Sequence, residues 1–269
     1  MNSRFNLETP SGKMLETVSR FSGWYIPVHG LRPNLKIKRQ GKPEAALEWG
    51  SIRPDVSTVH PCHPHAIVSG FQGDFLCREE DVGKHIDLAV VDELHPETDL
   101  WRGTYAVGTY QPPALRPRSF NTIELLVCPR CHSRLEKHRH ELVCSQCPAP
   151  VPLRGGVPHF VHDGGTPCLH LTEPTPTNPY SAEVLQILEQ YKDGLVLDFG
   201  AGHTREDLLR CNVLYLDAVQ YRWTDVVCTH PQLPFADHSF DAIVSQAVFE
   251  HLSDPVSYTH LTLPTIYSV

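Results

Sequence analysis

Four cysteines constrain this chain more than any other feature. Cys128-Pro129-Arg130-Cys131 and Cys144-Ser145-Gln146-Cys147 are two CxxC pairs separated by twelve residues. Each turn aims two thiolates at one point, and two such turns complete a tetrahedral four-sulfur site for zinc. The unit that carries them, 124–162, is too small to fold on apolar burial alone, so metal binding is expected to supply part of its folding free energy. With Cys128, Cys131, Cys144 and Cys147 all engaged, no coordination position is left for a reactive water. The zinc is therefore expected to be structural.

The other five cysteines, Cys62, Cys77, Cys168, Cys211 and Cys228, are scattered, and the total of nine is odd. That layout does not read as a disulfide framework. The first residues carry no apolar signal segment, so a reducing, cytoplasmic location is expected, with the scattered cysteines acting as small core residues. No apolar run reaches the roughly 18 residues of a membrane-spanning helix. Charge is unevenly placed: residues 181–255 hold twelve acidic and four basic side chains, while 1–180 are balanced. An acidic segment argues against nonspecific binding to a nucleic-acid backbone.

Proline and glycine divide the 269 residues into several units. Residues 1–118 alternate apolar and polar side chains at Leu35-Lys36-Ile37-Lys38, at His85–Val91 and around Trp101, Tyr105 and Val107, which predicts short strands in a β-sandwich. Linkers follow at 111–118 and 162–179. His60, His63 and His65 lie near Cys62 in a proline-stiffened stretch, but no matching ligand pair is visible, so a solvated loop is expected there.

Gly23-Trp24, Arg53-Pro54-Asp55-Val56 and Ser69-Gly70-Phe71 together resemble a β-sandwich module found beside bacterial glycosyltransferases and methyltransferases. The cysteine unit, with its Val151–Pro158 tail, resembles the zinc ribbons that accompany methyltransferases, where the module docks and does no chemistry.

Farther on, Ser181–Lys192 has helical periodicity, with Ser181 placed to cap it and Gly194 to end it. The run Leu195-Val196-Leu197-Asp198-Phe199-Gly200-Ala201-Gly202 follows, an apolar strand entering a glycine turn, where open α/β sheets bind ligands. A second strand, Val213–Leu216, ends in Asp217, an acid suited to ribose hydroxyls. A third is expected over Asp225–Cys228 and a fourth over Ala242–Val248. The Asp-x-Gly-x-Gly turn and the block Leu233–Pro255 resemble class I S-adenosylmethionine-dependent methyltransferases of the type-11 family. The resemblance implies that Asp198 holds the methionyl amine, that Gly200 and Gly202 pass beside the cofactor, and that Glu250 orients the cofactor or His251. His251, at the rim after strand four, is the candidate base for a hydroxyl acceptor, with a packing histidine as the alternative. Only thirteen residues separate strands one and two, so the first helix is expected to be very short.

After Pro255 the family pattern stops, and Val256–Thr265 resembles the translation of a transposase-based sequencing adaptor. The expectation is a C-terminally truncated, inactive fragment with a non-native tail over 256–269 and an exposed edge at strand four. The whole therefore reads as a multidomain chain: a β-sandwich over 1–118, a small zinc ribbon over 124–162 and a partial Rossmann-like α/β methyltransferase domain over 178–255. The expected activity is methyl transfer to an unidentified acceptor of the glycan or small-molecule class, in surface glycan biosynthesis. The alternative is a non-catalytic adaptor that binds a glycan or protein.

Overall fold

The computed structural model describes residues 4–28, 30–108, 117–162, 165–172, 179–204, 208–248 and the backbone of 266–268. They divide into two compact units, 1–112 with 166–173, and 113–165 with 174–269.

The first unit contains β1 (Arg4–Thr9), β2 (Met14–Leu15), β3 (Val18–Ile26), β4 (Leu35–Arg39), β5 (Lys42–Ser51), α1 (Pro54–Val59), β6 (Gly70–Leu76), β7 (His85–Asp92) and β8 (Asp99–Val107). Its strands hydrogen-bond as one eight-stranded sheet in the order β1-β3-β6-β5-β4-β7-β8-β2. Strand β5 changes partner midway: Lys42–Leu47 run along β4, and Glu48–Ser51 run along β6. Alternation along β3 buries Phe21 and Tyr25, which share a core with Ile37, Phe71, Phe75, Val90 and Tyr105. The Arg53 guanidinium pairs with both Glu8 and Asp55, so this residue of the quoted motif ties α1 to the end of β1.

The second unit opens with α2 (Thr122–Leu125) and two hairpins, β9 (Leu135–His138) with β10 (Glu141–Cys144), and β11 (Val151–Arg154) with β12 (Val157–Phe160). Gly155 and Gly156 connect the second hairpin with φ of 58° and 86°, the left-handed pair that a two-residue turn of matching twist requires. The short β13 (Leu169–His170) belongs to the first unit. The second unit continues with α3 (Ala182–Gln190), β14 (Val196–Phe199), β15 (Val213–Asp217), β16 (Gln220–Tyr221), β17 (Val226–Cys228), β18 (Ala242–Ser245) and β19 (Ile266–Ser268).

Strands β14, β15, β17 and β18 are parallel, and their spatial order is β17-β15-β14-β18. Both faces are buried. Val184, Ile187 and Leu188 of α3 cover Val196, Val213, Tyr215 and Val244 on one side. Leu197, Phe199, Leu214 and Leu216 pack on the other side in a cluster that also contains Cys128, Leu135, Leu142 and Cys144. Burial on both faces explains why these strands read as continuous apolar runs.

Four differences from the sequence expectations stand out. The ribbon is not a separate layer: β12 pairs in parallel with β17, through His159 opposite Val227 and Phe160 opposite Cys228, so one nine-stranded sheet spans both segments. No α-helix occurs between β14 and β15 among the described residues. Strand β18 does not present a bare edge, because the backbone of β19 runs parallel beside it. Helix α3 starts under the Ser181 cap as expected, but Tyr191 rather than Gly194 is its C-cap. In addition, Cys62 and Cys211 are exposed, not core, because each sits in a connection rather than on an inward-facing strand position.

Candidate metal centre and cofactor site

The two CxxC turns bring the Sγ atoms of Cys128, Cys131, Cys144 and Cys147 within 4.8 Å of one another. The Cys131 and Cys144 sulfurs are 3.4 Å apart. A tetrahedral zinc with bonds of about 2.3 Å separates its ligand sulfurs by about 3.8 Å, so the spacing fits that ion. The first turn is shaped by the His132 amide, which donates to Cys128 O at 2.8 Å, and by the Cys128 amide, which donates to Ser133 O at 2.9 Å. In the second turn the Gln146 amide donates to the Cys144 sulfur at 3.4 Å. Hydrogen bonds from Ser133 hold the Cys131 thiol down at about 6, whereas the sulfur of Cys131 pushes Cys147 up to about 12. Four thiolates this close repel one another unless a cation sits among them, and a dication supplies that charge.

The second site lies at the carboxyl ends of β14 and β15. Asp198 is 2% exposed and accepts a short hydrogen bond from the Tyr180 hydroxyl. Burial pushes its carboxyl up to about 7, against the Tyr180 hydrogen bond and with the Asp217 charge adding to the rise. Burial also raises Tyr180, and the neighbouring Asp198 adds to it. Asp217 receives the Gly202 amide at 2.8 Å on one oxygen and the Val219 amide at 2.9 Å on the other. Its carboxyl is raised by burial in spite of these bonds. A buried and a half-buried acid, both with raised proton affinity, form an environment that a bound cation or hydroxyl donor would satisfy.

Gly200, with φ of 77°, follows directly. A Cβ there would lie 2.2 Å from Cγ2 of Val248, so only glycine lets the loop pass that close to the end of strand four. Gln246 fixes the same corner: its amide oxygen accepts the Ser181 N–H at 2.9 Å, and its amide nitrogen donates to Pro179 O at 2.8 Å. Just after β17, the Thr229 hydroxyl accepts the His162 amide at 3.1 Å.

Of the expected site residues, the four cysteines meet at one point, and Asp198, Gly200, Gly202 and Asp217 meet at another. Glu250 and His251 lie outside the described residues. Sequence reasoning missed Tyr180, Gln246 and Val248. Tyr180 adjoins the recognisable cap Ser181, but nothing local marks it as the partner of Asp198. Among the described residues no helix is long and apolar enough to cross a membrane.

Residues 197–260 match the type-11 family described as a methyltransferase domain. The match starts within β14, contains the Asp198–Gly202 turn, and runs past Pro255 into the segment read as adaptor-derived. No curated protein matches the chain, and no solved structure does. The match over this segment supports S-adenosylmethionine-dependent methyl transfer in general.

Proposed function

We propose that the second unit binds S-adenosylmethionine at the carboxyl ends of β14 and β15 and transfers its methyl group to a hydroxyl of a glycan or small molecule. The observation that carries this reading is the juxtaposition of two acids with raised proton affinity, buried Asp198 and half-buried Asp217, around a glycine loop within the matched segment. When bound, the cofactor supplies an electrophilic sulfonium methyl. Asp198 accepts the methionyl amine, and Tyr180 orients that carboxylate. Asp217 keeps its Gly202 and Val219 amides and uses its remaining lone pairs for the ribose hydroxyls. Gly200 keeps the floor of the site free of side-chain atoms. The strand order β17-β15-β14-β18 supports the first half of a doubly wound Rossmann-like sheet. His251, with Glu250 beside it in sequence, is the proposed base. The resemblance of the N-terminal motifs supports the glycan class of acceptor. The four cysteines hold one structural zinc.

Calorimetric titration with S-adenosylmethionine tests the site. Asp198→Ala and Asp217→Ala should each weaken affinity about ten- to hundredfold, the typical consequence of losing a hydrogen bond to a charged group. Unchanged affinity in both variants would remove the cofactor from this place.

A further inference from the structure

The two sites of the second unit share a core. On one face of β14 and β15, Leu197, Phe199, Leu214 and Leu216 belong to the cluster that holds Cys128, Leu135, Leu142 and Cys144 of the ribbon. Helix α3 covers the opposite face. A parallel sheet needs cover on both faces, so the ribbon does here what a helical layer does in a doubly wound sheet.

Two residues of that core also hold the candidate cofactor loop. Phe199 stands between Asp198 and Gly200, and its side chain is buried. Leu216, also buried, precedes Asp217. Its carbonyl oxygen accepts the Gly200 amide at 2.8 Å and the Ala201 amide at 3.1 Å. The Gly202 amide then donates to Asp217. Packed interiors transmit strain instead of absorbing it. A shift of Phe199 or Leu216 in the ribbon core therefore moves the main chain that carries both acids and the glycine turn.

Resting on the reading that S-adenosylmethionine binds at this turn, we propose that the ribbon is an allosteric element for the cofactor site. Zinc at Cys128, Cys131, Cys144 and Cys147 strengthens cofactor binding at Asp198 and Asp217, and Phe199 and Leu216 are the positioning residues that connect the two sites. Two states are involved. In one, the ribbon is closed around its metal and covers β14 and β15. In the other, four uncompensated thiolates drive the ribbon open, and the strands lose the cover on that face. Zinc selects the closed state, because an open ribbon has no point at which four sulfurs meet. The cofactor selects the same state, because there the loop and the two carboxylates are held in place. Two ligands that prefer one state raise each other's affinity by the same factor.

The test is calorimetry with S-adenosylmethionine on the full chain, zinc-loaded and zinc-depleted. Zinc affinity is read separately, by competition with a chromophoric chelator, with and without the cofactor. Depletion should weaken cofactor binding about tenfold, and saturating cofactor should tighten zinc binding by the same factor. Phe199→Leu keeps an apolar side chain in the core and should retain one zinc per chain, while reducing both factors about threefold. Val184→Ala, on the opposite face of the sheet, should leave both factors unchanged. Hydrogen exchange in α3 should stay slow in the depleted chain. Equal cofactor affinity with and without zinc overturns the proposal and leaves the cofactor reading standing. Absence of cofactor binding to the zinc-loaded chain overturns both. Coupling that survives Phe199→Leu in full overturns the proposed route. Exchange in α3 as fast as in β14 and β15 after depletion also overturns the proposal, because zinc would then act only by holding the whole unit folded.

Discussion

Nε2 of His159, on the last ribbon strand, lies 2.7 Å from Oε1 of Gln220 on β16, and both side chains are buried. The bond links the ribbon to the strands that follow Asp217. Burial, with the Arg154 charge adding and the Gln220 bond opposing, holds His159 down at about 3, so the imidazole is neutral. Asp198 is shifted the other way, up to about 7.

These two groups produce opposite pH slopes. A histidine depressed in the folded state costs stability as pH falls below its unfolded value near 6.5, because the unfolded chain then binds the extra proton. A carboxyl raised in the folded state gains stability as pH falls from its folded value toward its unfolded one near 4. Between pH 6.5 and 5.5 the two nearly cancel. Asp198→Asn should expose the histidine term, so that the variant loses about 1 kcal/mol over this unit of pH while the unmodified chain changes little. Urea unfolding at the two pH values, followed by hydrogen exchange in β14 and β15, measures this. Equal pH dependence in both proteins would contradict the assignment.

Zinc should stabilise more than the ribbon. Cys128 and Cys144 pack in the same cluster as Leu197, Phe199 and Leu216. Metal analysis should find one zinc per chain, absent in Cys128→Ser/Cys144→Ser. Chelation should lower the thermal midpoint of the second unit by roughly 10 °C, corresponding to a loss of a few kcal/mol. Loss of protection confined to Leu135–Cys144, with β14 and β15 unaffected, would argue against the shared core.

The passage of Gly200 under Val248 predicts a coupled pair of substitutions. Gly200→Ala combines a left-handed backbone with a side-chain clash and should cost about 1–3 kcal/mol. Adding Val248→Ala should recover part of that cost beyond what simple additivity allows, because it removes the clash but not the backbone strain. Denaturant titration of the four proteins in the cycle measures the coupling, and strict additivity would mean that the two residues do not meet.

Arg118 provides a contrast of magnitudes. Its guanidinium pairs with Asp225 where both side chains are 12% exposed, and it lies 5.3 Å from the Tyr215 ring centre. The other Asp225 oxygen accepts the Tyr215 amide at 2.9 Å. Arg118→Ala leaves a buried carboxylate without its cation and should cost about 3 kcal/mol in the second unit. Arg102, paired with Asp99 but 75% exposed, should lose less than about 1 kcal/mol in the first unit on the same change. Similar losses at the two sites would mean that burial does not set the strength of these pairs.

Several features were legible in the residues alone because their physics is local. Two CxxC turns dictate a four-sulfur point whatever surrounds them. Alternation at His85–Leu88 places the start of β7, because a strand with one buried face must alternate, whereas β4 buries Lys36 together with Leu35 and Ile37. Ser181 caps α3 with its own hydroxyl, which accepts the Val184 amide three residues on. What only the tertiary structure decided depends on groups far apart in the chain. Pairing of β12 with β17 runs through main-chain hydrogen bonds, which every residue except proline can make, so no side-chain pattern announces it. For the same reason the ribbon read as a separate module. Tyr180 reaches Asp198, and Glu48 reaches His170, only after strands and connections have been packed together. Single residues of ordinary type carry no periodicity, and burial, which shifts their charges, is a property of the folded core.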